Sequence, residues 1–134
     1  MLEVRLQREI VIRTANQVGL LAQVTRLLYD MGIHVLAGTV QAENSEASIH
    51  LITDAQTCAR DALRDAGFGV EEREVVVITL PRHPGFLCRA LEALARKEID
   101  IEHLYTTVAD GSSKAIVVFT CSSNGKATML LTGH

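Results

Sequence analysis

Tryptophan is absent from this chain, and aromatic residues make up only 4% of its 134 residues. A core must therefore be built from Val, Ile, Leu and Ala; apolar residues reach 48%, enough for one. Basic runs are missing too: none is longer than two, and the formal charge is −3. That excludes nucleic acid as the main partner, because neutralising phosphates needs a cationic patch. No apolar run approaches the roughly twenty residues that span a bilayer. The N-terminus MLEVRLQREI carries Glu3 and no uninterrupted apolar stretch, so it does not read as a signal peptide. A cytoplasmic protein without membrane contact is the expectation. Cysteine is scarce: Cys58, Cys88 and Cys121 are widely spaced, with no CxxC and no zinc-ligand pattern. They read as buried free thiols in a reducing compartment. No Ser/His/Asp or Cys/His grouping and no Walker-type loop is present. No catalytic residue, cofactor or metal is therefore assigned, and the chain does not read as an enzyme.

What is present is a repeat. Arg8–Thr14 (REIVIRT) returns as Arg73–Thr79 (REVVVIT), 65 positions on. After each run comes a polar loop with glycine, Gln17-Val18-Gly19-Leu20-Leu21 and then His83-Pro84-Gly85-Phe86-Leu87, at a spacing of 66. Gly32-Ile33-His34-Val35 then answers to Glu98-Ile99-Asp100-Ile101. Self-similarity of this length means a duplicated supersecondary unit.

Each copy reads as α+β. Glu9–Thr14 is a short β-branched strand. Leu20, Val24, Leu27, Leu28 and Met31 give one buried helical face over 18–31, ended by Gly32. Strands follow at 33–43 and 47–53, joined by a turn at 43–46. Asp54 is placed to cap a helix over 55–66, ended by Gly67. This β-α-β-β-α-β order is the ferredoxin-like split βαβ arrangement, an antiparallel sheet with both helices on one face. The second copy repeats it with strand 74–80, helix 84–97, strand 99–108, a turn at 109–113, strand 114–121 and a helix at 124–131, but has no fourth strand. The domains are thus 1–72, with 1–7 as an N-terminal extension, and 73–134. The missing strand leaves a sheet edge to be covered, by Leu2–Leu6 or by another chain. Ala115–Phe119 shows no polar alternation, so both of its faces should be buried, and a homodimer or larger assembly is expected.

The duplicated loop is where chemistry can reside. A helix start leaves backbone N–H groups unpaired and carries partial positive charge. Gly19 and Gly85 remove a side chain where a ligand would approach, and Pro84 suits the first helical position. Such an end suits a carboxylate, with ~0.5–2 kcal/mol from the dipole and about 1.5–3 kcal/mol per charge-assisted hydrogen bond before ordering costs. A tight turn with no ligand is the alternative that the loop alone leaves open.

A loop of the form N/D-x-P-G-L after a strand, then an amphipathic helix and G-I-x-I, resembles the ACT domain. Here it reads Asn16-Gln17-Val18-Gly19-Leu20 with Gly32-Ile33-His34-Val35, and Arg82-His83-Pro84-Gly85-Phe86 with Glu98-Ile99-Asp100-Ile101. The resemblance covers 9–121 and is similar to small proteins made of two tandem ACT units. It implies a regulatory protein that binds a small amino acid where the loop of one unit meets the strand of its neighbour. Carried over by position, the ligand set is Asn16, Gln17, Val18, Gly19, Leu20 and His34, and in the second unit Arg82, Gly85, Phe86 and Asp100. Asn16 with His34 is favoured. Val18 departs from the usual proline, and Arg82 replaces an Asn or Asp, so it suits a carboxylate rather than an ammonium group.

Other residues read as structural. His50 lies on the strand beside His34, but no third metal ligand is evident. Asp61, Arg64 and Asp65 read as a solvated helix face, and Glu71–Glu74 as a surface junction between the copies. RNA-recognition modules share this topology but place aromatics on the central strands, which here hold only Phe119. Acylphosphatases need a first-loop Arg that the first copy lacks. The alternative to a ligand sensor is a regulatory or scaffold subunit of an amino-acid biosynthetic enzyme, with little ligand binding of its own.

Overall fold

The computed structural model describes residues 3–15, 17–83, 85–108 and 113–132. Asn16, Pro84 and most of the turn expected at 109–113 fall outside this set. Ten elements follow in order: β1 (Glu3–Ala15), α1 (Leu20–Asp30), β2 (Val35–Glu43), β3 (Glu46–Thr53), α2 (Gln56–Asp65), β4 (Val70–Pro81), α3 (Phe86–Arg96), β5 (Ile101–Val108), β6 (Lys114–Cys121) and α4 (Asn124–Thr132). The chain divides into two compact units, Arg8–Arg73 and Met1–Gln7 with Glu74–His134. They are called the first and second repeat below. Residues 3–7 therefore group with the second repeat and not, as the sequence had them, with the first.

In the first repeat β3 lies between β2 and β1, antiparallel to both, with Val11 opposite His50 and His50 opposite Thr39. In the second, β6 lies between β5 and β4, with Val77 opposite Val118 and Val118 opposite Tyr105. The registers coincide when β1 is set against β4 at a spacing of 66, one more than the 65 of the sequence match, so that Val11 and Val77 hold the same place. Period-2 alternation in each strand sends one set of side chains to the helices. Ile10, Ile12, Ile49 and Leu51 meet Leu20, Val24 and Leu28 of α1 and Ala59 and Leu63 of α2. In the second repeat Val76, Ile78, Val117 and Phe119 meet Ala90, Ala93 and Leu94 of α3 and Ala127 and Leu131 of α4. Each fully buried Leu, Ile or Phe there contributes roughly 1.5–3 kcal/mol.

The strand expected to be missing from the second repeat comes from this chain. Val4 packs against that repeat's core, and Glu3 lies 3.6 Å from Lys114. Both faces of β6 are indeed buried, with Val117 and Val118 at 1% and 0% exposure. Since a single chain already buries them, this burial gives no reason to invoke a second copy.

Helix ends show where local signals were misread. The glycine of each loop is the residue before the helix, with φ 86° at Gly19 and 101° at Gly85, so α1 and α3 begin two residues later than the periodicity suggested. Gly32 ends α1 at φ 72°, with Gly32 N–H donating to Tyr29 O and Ile33 N–H to Leu28 O. Met31, expected on the buried face, is exposed at this end. Asp54 does not cap α2, whose preceding residue is Ala55 and has no side-chain cap. Instead its carboxylate accepts the His34 N–H at 2.9 Å, and Gln56 reaches back to accept from Thr53 N–H at 2.7 Å.

Candidate functional site

Two loops carry the residues expected to bind. In the first repeat β1 ends at Ala15, Gln17 O accepts the Leu20 N–H at 3.2 Å, and Gly19 turns the chain into α1. Gln17, Val18 and Gly19 are exposed, whereas Leu20 is buried in the core at 7% exposure. Asn16 lies outside the described residues. In the second repeat Arg82 N–H donates to Ser113 O at 2.8 Å, and Gly85 turns the chain into α3. Phe86 takes the place of Leu20 but is only half-buried. Its ring lies 5.8 Å from that of His83, edge to face, and Arg89 stacks over it at 5.7 Å. Neither helix has a side-chain cap or an acidic residue in its first turn, and each start carries the partial positive charge of its backbone N–H groups.

The space beside the two loops differs. A cavity of about 410 Å3 opens at the second loop, with Leu80, Leu87, Ala115 and Val117 as apolar walls, Thr106 at the rim, and Pro81, Arg82, His83 and Gly85 at the mouth. The larger depression of the first repeat, about 950 Å3, lies at the β2–β3 turn and the end of β1 and is lined by polar residues such as Arg13, Gln41, Glu43 and Ser48. It includes none of residues 17–20.

His34 and Asp100 are not brought to the loops of their own repeats. Each follows the C-terminal end of a helix whose N-terminal end carries the loop, and an 11-residue helix is about 16 Å long. Both are exposed, and their backbones are tied down: His34 exchanges hydrogen bonds with Asp54, and Asp100 exchanges them with Ser122. His50 does not pair with His34 either. Its Nδ1 sits 2.8 Å from Glu9 Oε1, which also accepts from Arg73 Nη2 at 2.9 Å. Glu9 is fully buried, and Arg73, expected at a surface junction, is partly buried with its Nε enclosed and lacking a hydrogen-bond acceptor. Glu72 of the same junction is held by Arg60 at 2.9 Å, and that hydrogen bond lowers its carboxyl pKa. Among the described residues no group of three or more His, Cys, Asp and Glu side chains is placed to hold a metal.

The cysteines also differ from expectation, since Cys58 and Cys88 are exposed and only Cys121 is buried. Cys88, in the first turn of α3, donates its thiol to Glu92 Oε1 at 2.9 Å, and that bond with the carboxylate charge raises its pKa. Burial raises that of Cys121. Neither thiol is poised as a nucleophile. Sequence reasoning missed the Glu9–His50–Arg73 cluster and the cavity. The strand ladders supply the contrast that the sequence repeat did not: Val117 holds the place of Ile49 and Thr106 that of Val40.

Each of the two ferredoxin-like units presents a glycine loop at a helix start without a side-chain cap. The family model for the ACT domain pair matches residues 5–132, and the chain belongs to that family. Among solved structures, a protein of Bacteroides thetaiotaomicron superposes with a TM-score of 0.86 at 26% identity, covering 97% of this chain and 89% of that one. The ligand-free regulatory subunit of aspartate kinase from Thermus thermophilus superposes with a TM-score of 0.65 at 18% identity, over 97% and 95% of the two chains. The corresponding subunit from Thermus flavus gives 0.57 at 16%, over 98% and 95%. These two likenesses show the shared fold. No curated protein matches the chain. Among the described residues no helix is long and apolar enough to cross a membrane.

Proposed function

We propose that this ACT domain pair is a non-catalytic cytoplasmic regulator that binds a small amino acid at its strand–loop–helix corners. The observation that carries this reading is the cavity of about 410 Å3 at the start of α3 in the second repeat. There Arg82 and the helix end offer positive charge to a carboxylate, while Gly85 leaves the backbone bare. Asn16, Gln17, Val18, Gly19 and Leu20 form the corresponding loop of the first repeat. His34 and Asp100 lie at the far ends of their own repeats, so they join a site only where a neighbouring repeat or a second copy presents them. Regulation then amounts to one ligand binding two assemblies, a homodimer among them, with different affinity.

Calorimetry against the twenty amino acids, with Arg82→Ala as control, tests the reading. At least one amino acid should bind near micromolar affinity, about −8 kcal/mol, and the variant should weaken it about tenfold or more. No heat from any of them would defeat it. A regulatory or scaffold subunit of a biosynthetic enzyme is the second reading, and the unfinished sheet edge that would favour it is not left bare, because residues 3–7 group with that unit. Light scattering at several concentrations tests the homodimer.

A further inference from the structure

We infer that the second repeat is selective for a ligand with a branched aliphatic body, lodged against Leu80, Leu87 and Val117 with its carboxylate toward Arg82, and that the first repeat does not take the same ligand. This rests on the amino-acid reading above and adds to it the side-chain class and the choice of repeat.

Three positions make the difference. Val117 lies where the first repeat has Ile49, which is wholly buried and adds a methylene to the same space. Phe86 lies where the first repeat has Leu20. Leu20 packs into its core at 7% exposure, whereas Phe86 lies against His83 and Arg89 and is half-buried. Thr106 lies where Val40 stands, so the rim of the cavity is polar and its interior apolar. An aliphatic body leaves no polar atom stranded against these walls, while a charged or amide side chain placed there would lose its water without gaining a partner. Each methylene buried is worth about fourfold in affinity. A four-carbon side chain therefore gains well over tenfold on alanine. Arg82 at the mouth complements the carboxylate and orients the ligand body inward.

The test uses the full chain and calorimetry with L-leucine, L-isoleucine and L-valine against L-alanine, L-aspartate and L-lysine. The branched amino acids should bind at least about tenfold tighter than L-alanine. Val117→Ile, which copies the first repeat, should weaken L-leucine about tenfold, and weaken L-alanine by less. Thr106→Leu, at an exposed rim position where core packing is not at stake, should weaken L-leucine in the same way. Tighter binding of L-aspartate or L-lysine than of L-leucine, or no response of L-leucine binding to both variants, would overturn the inference while the amino-acid reading stands. Absence of heat from every amino acid would overturn both.

Discussion

The two repeats share their tethers and differ in their fillings. In the first, Gln56 accepts from Thr53 N–H at 2.7 Å and donates to Arg8 O at 2.6 Å; in the second, Asn124 accepts from Cys121 N–H at 3.0 Å and donates to Glu74 O at 3.2 Å. Asp54 and Ser122 likewise serve the same backbone N–H, that of His34 or Asp100. These side chains satisfy strand and helix ends that would otherwise lose their hydrogen bonds on burial, so the duplicated backbone keeps needing them. Side chains that meet only other side chains are freer to change. His50, bound to a buried Glu9, occupies the ladder position of Val118, and Ile49 that of Val117. Duplication has kept the frame, and the repeats differ in what it encloses.

The sharpest way to break this comparison is at Glu9. Its carboxylate is fully buried and bonded to Arg73 and His50, whereas buried Val75 holds the corresponding strand position of the second repeat and the neighbouring Glu74 is exposed. Glu9→Ala should cost about 2–4 kcal/mol, because it strands a partly buried guanidinium, and Glu74→Ala less than about 0.5 kcal/mol; urea unfolding measures both. The tethers come next. Gln56→Ala should cost about 1–3 kcal/mol and Asn124→Ala less, since shorter bonds are lost in the first case. Equal losses would mean that the bond lengths carry no energetic distinction.

A smaller effect separates the ends of α1 and α3. Glu98 holds φ 57° where Gly32 holds 72°, with the same pair of closing hydrogen bonds, Glu98 N–H to Ala95 O and Ile99 N–H to Leu94 O. A residue with Cβ is strained there by about 1–2 kcal/mol, part of which glycine returns as unfolded-chain entropy. Glu98→Gly should therefore raise stability by up to about 1 kcal/mol and Gly32→Ala lower it by a similar amount, read as melting shifts of about 2–5 °C in opposite directions. Last, Cys88 has Ala22 as its counterpart, so its thiol is particular to the second repeat. Its pKa is raised by the bond to Glu92, so less thiolate is present at pH 8. Glu92→Gln removes the charge, lowers that pKa and should speed alkylation by iodoacetamide a few-fold; an unchanged rate would show that Glu92 does not hold the proton.

Much of the frame was readable in the residues. Lys114–Cys121 was placed to the residue, because a β-branched run bounded by Ser113 and Asn124 admits few other readings. α1 and α3 were found but begun too early, since Gly19 and Gly85 turn the chain before a helix can start, whereas α4 was begun correctly at Asn124. β1 was cut short at Glu9, although Val4 and Leu6 alternate with polar neighbours back to Glu3. The loops were legible as candidate sites, the cavity was not. Its existence depends on Val117 being one methylene smaller than Ile49 and on the direction Phe86 takes, which no local pattern reveals.

The sequence by itself determined the duplication, the order of strands and helices, the glycine corners and the family. These rest on periodicity and turn chemistry acting over a few residues. Tertiary structure alone decided that Glu9 is buried with His50 and Arg73, that residues 3–7 group with the second repeat, and that a cavity opens beside the second loop. The first of these depends on side chains 41 and 64 positions apart sharing one environment, and burial is a property of that environment and not of any residue within it.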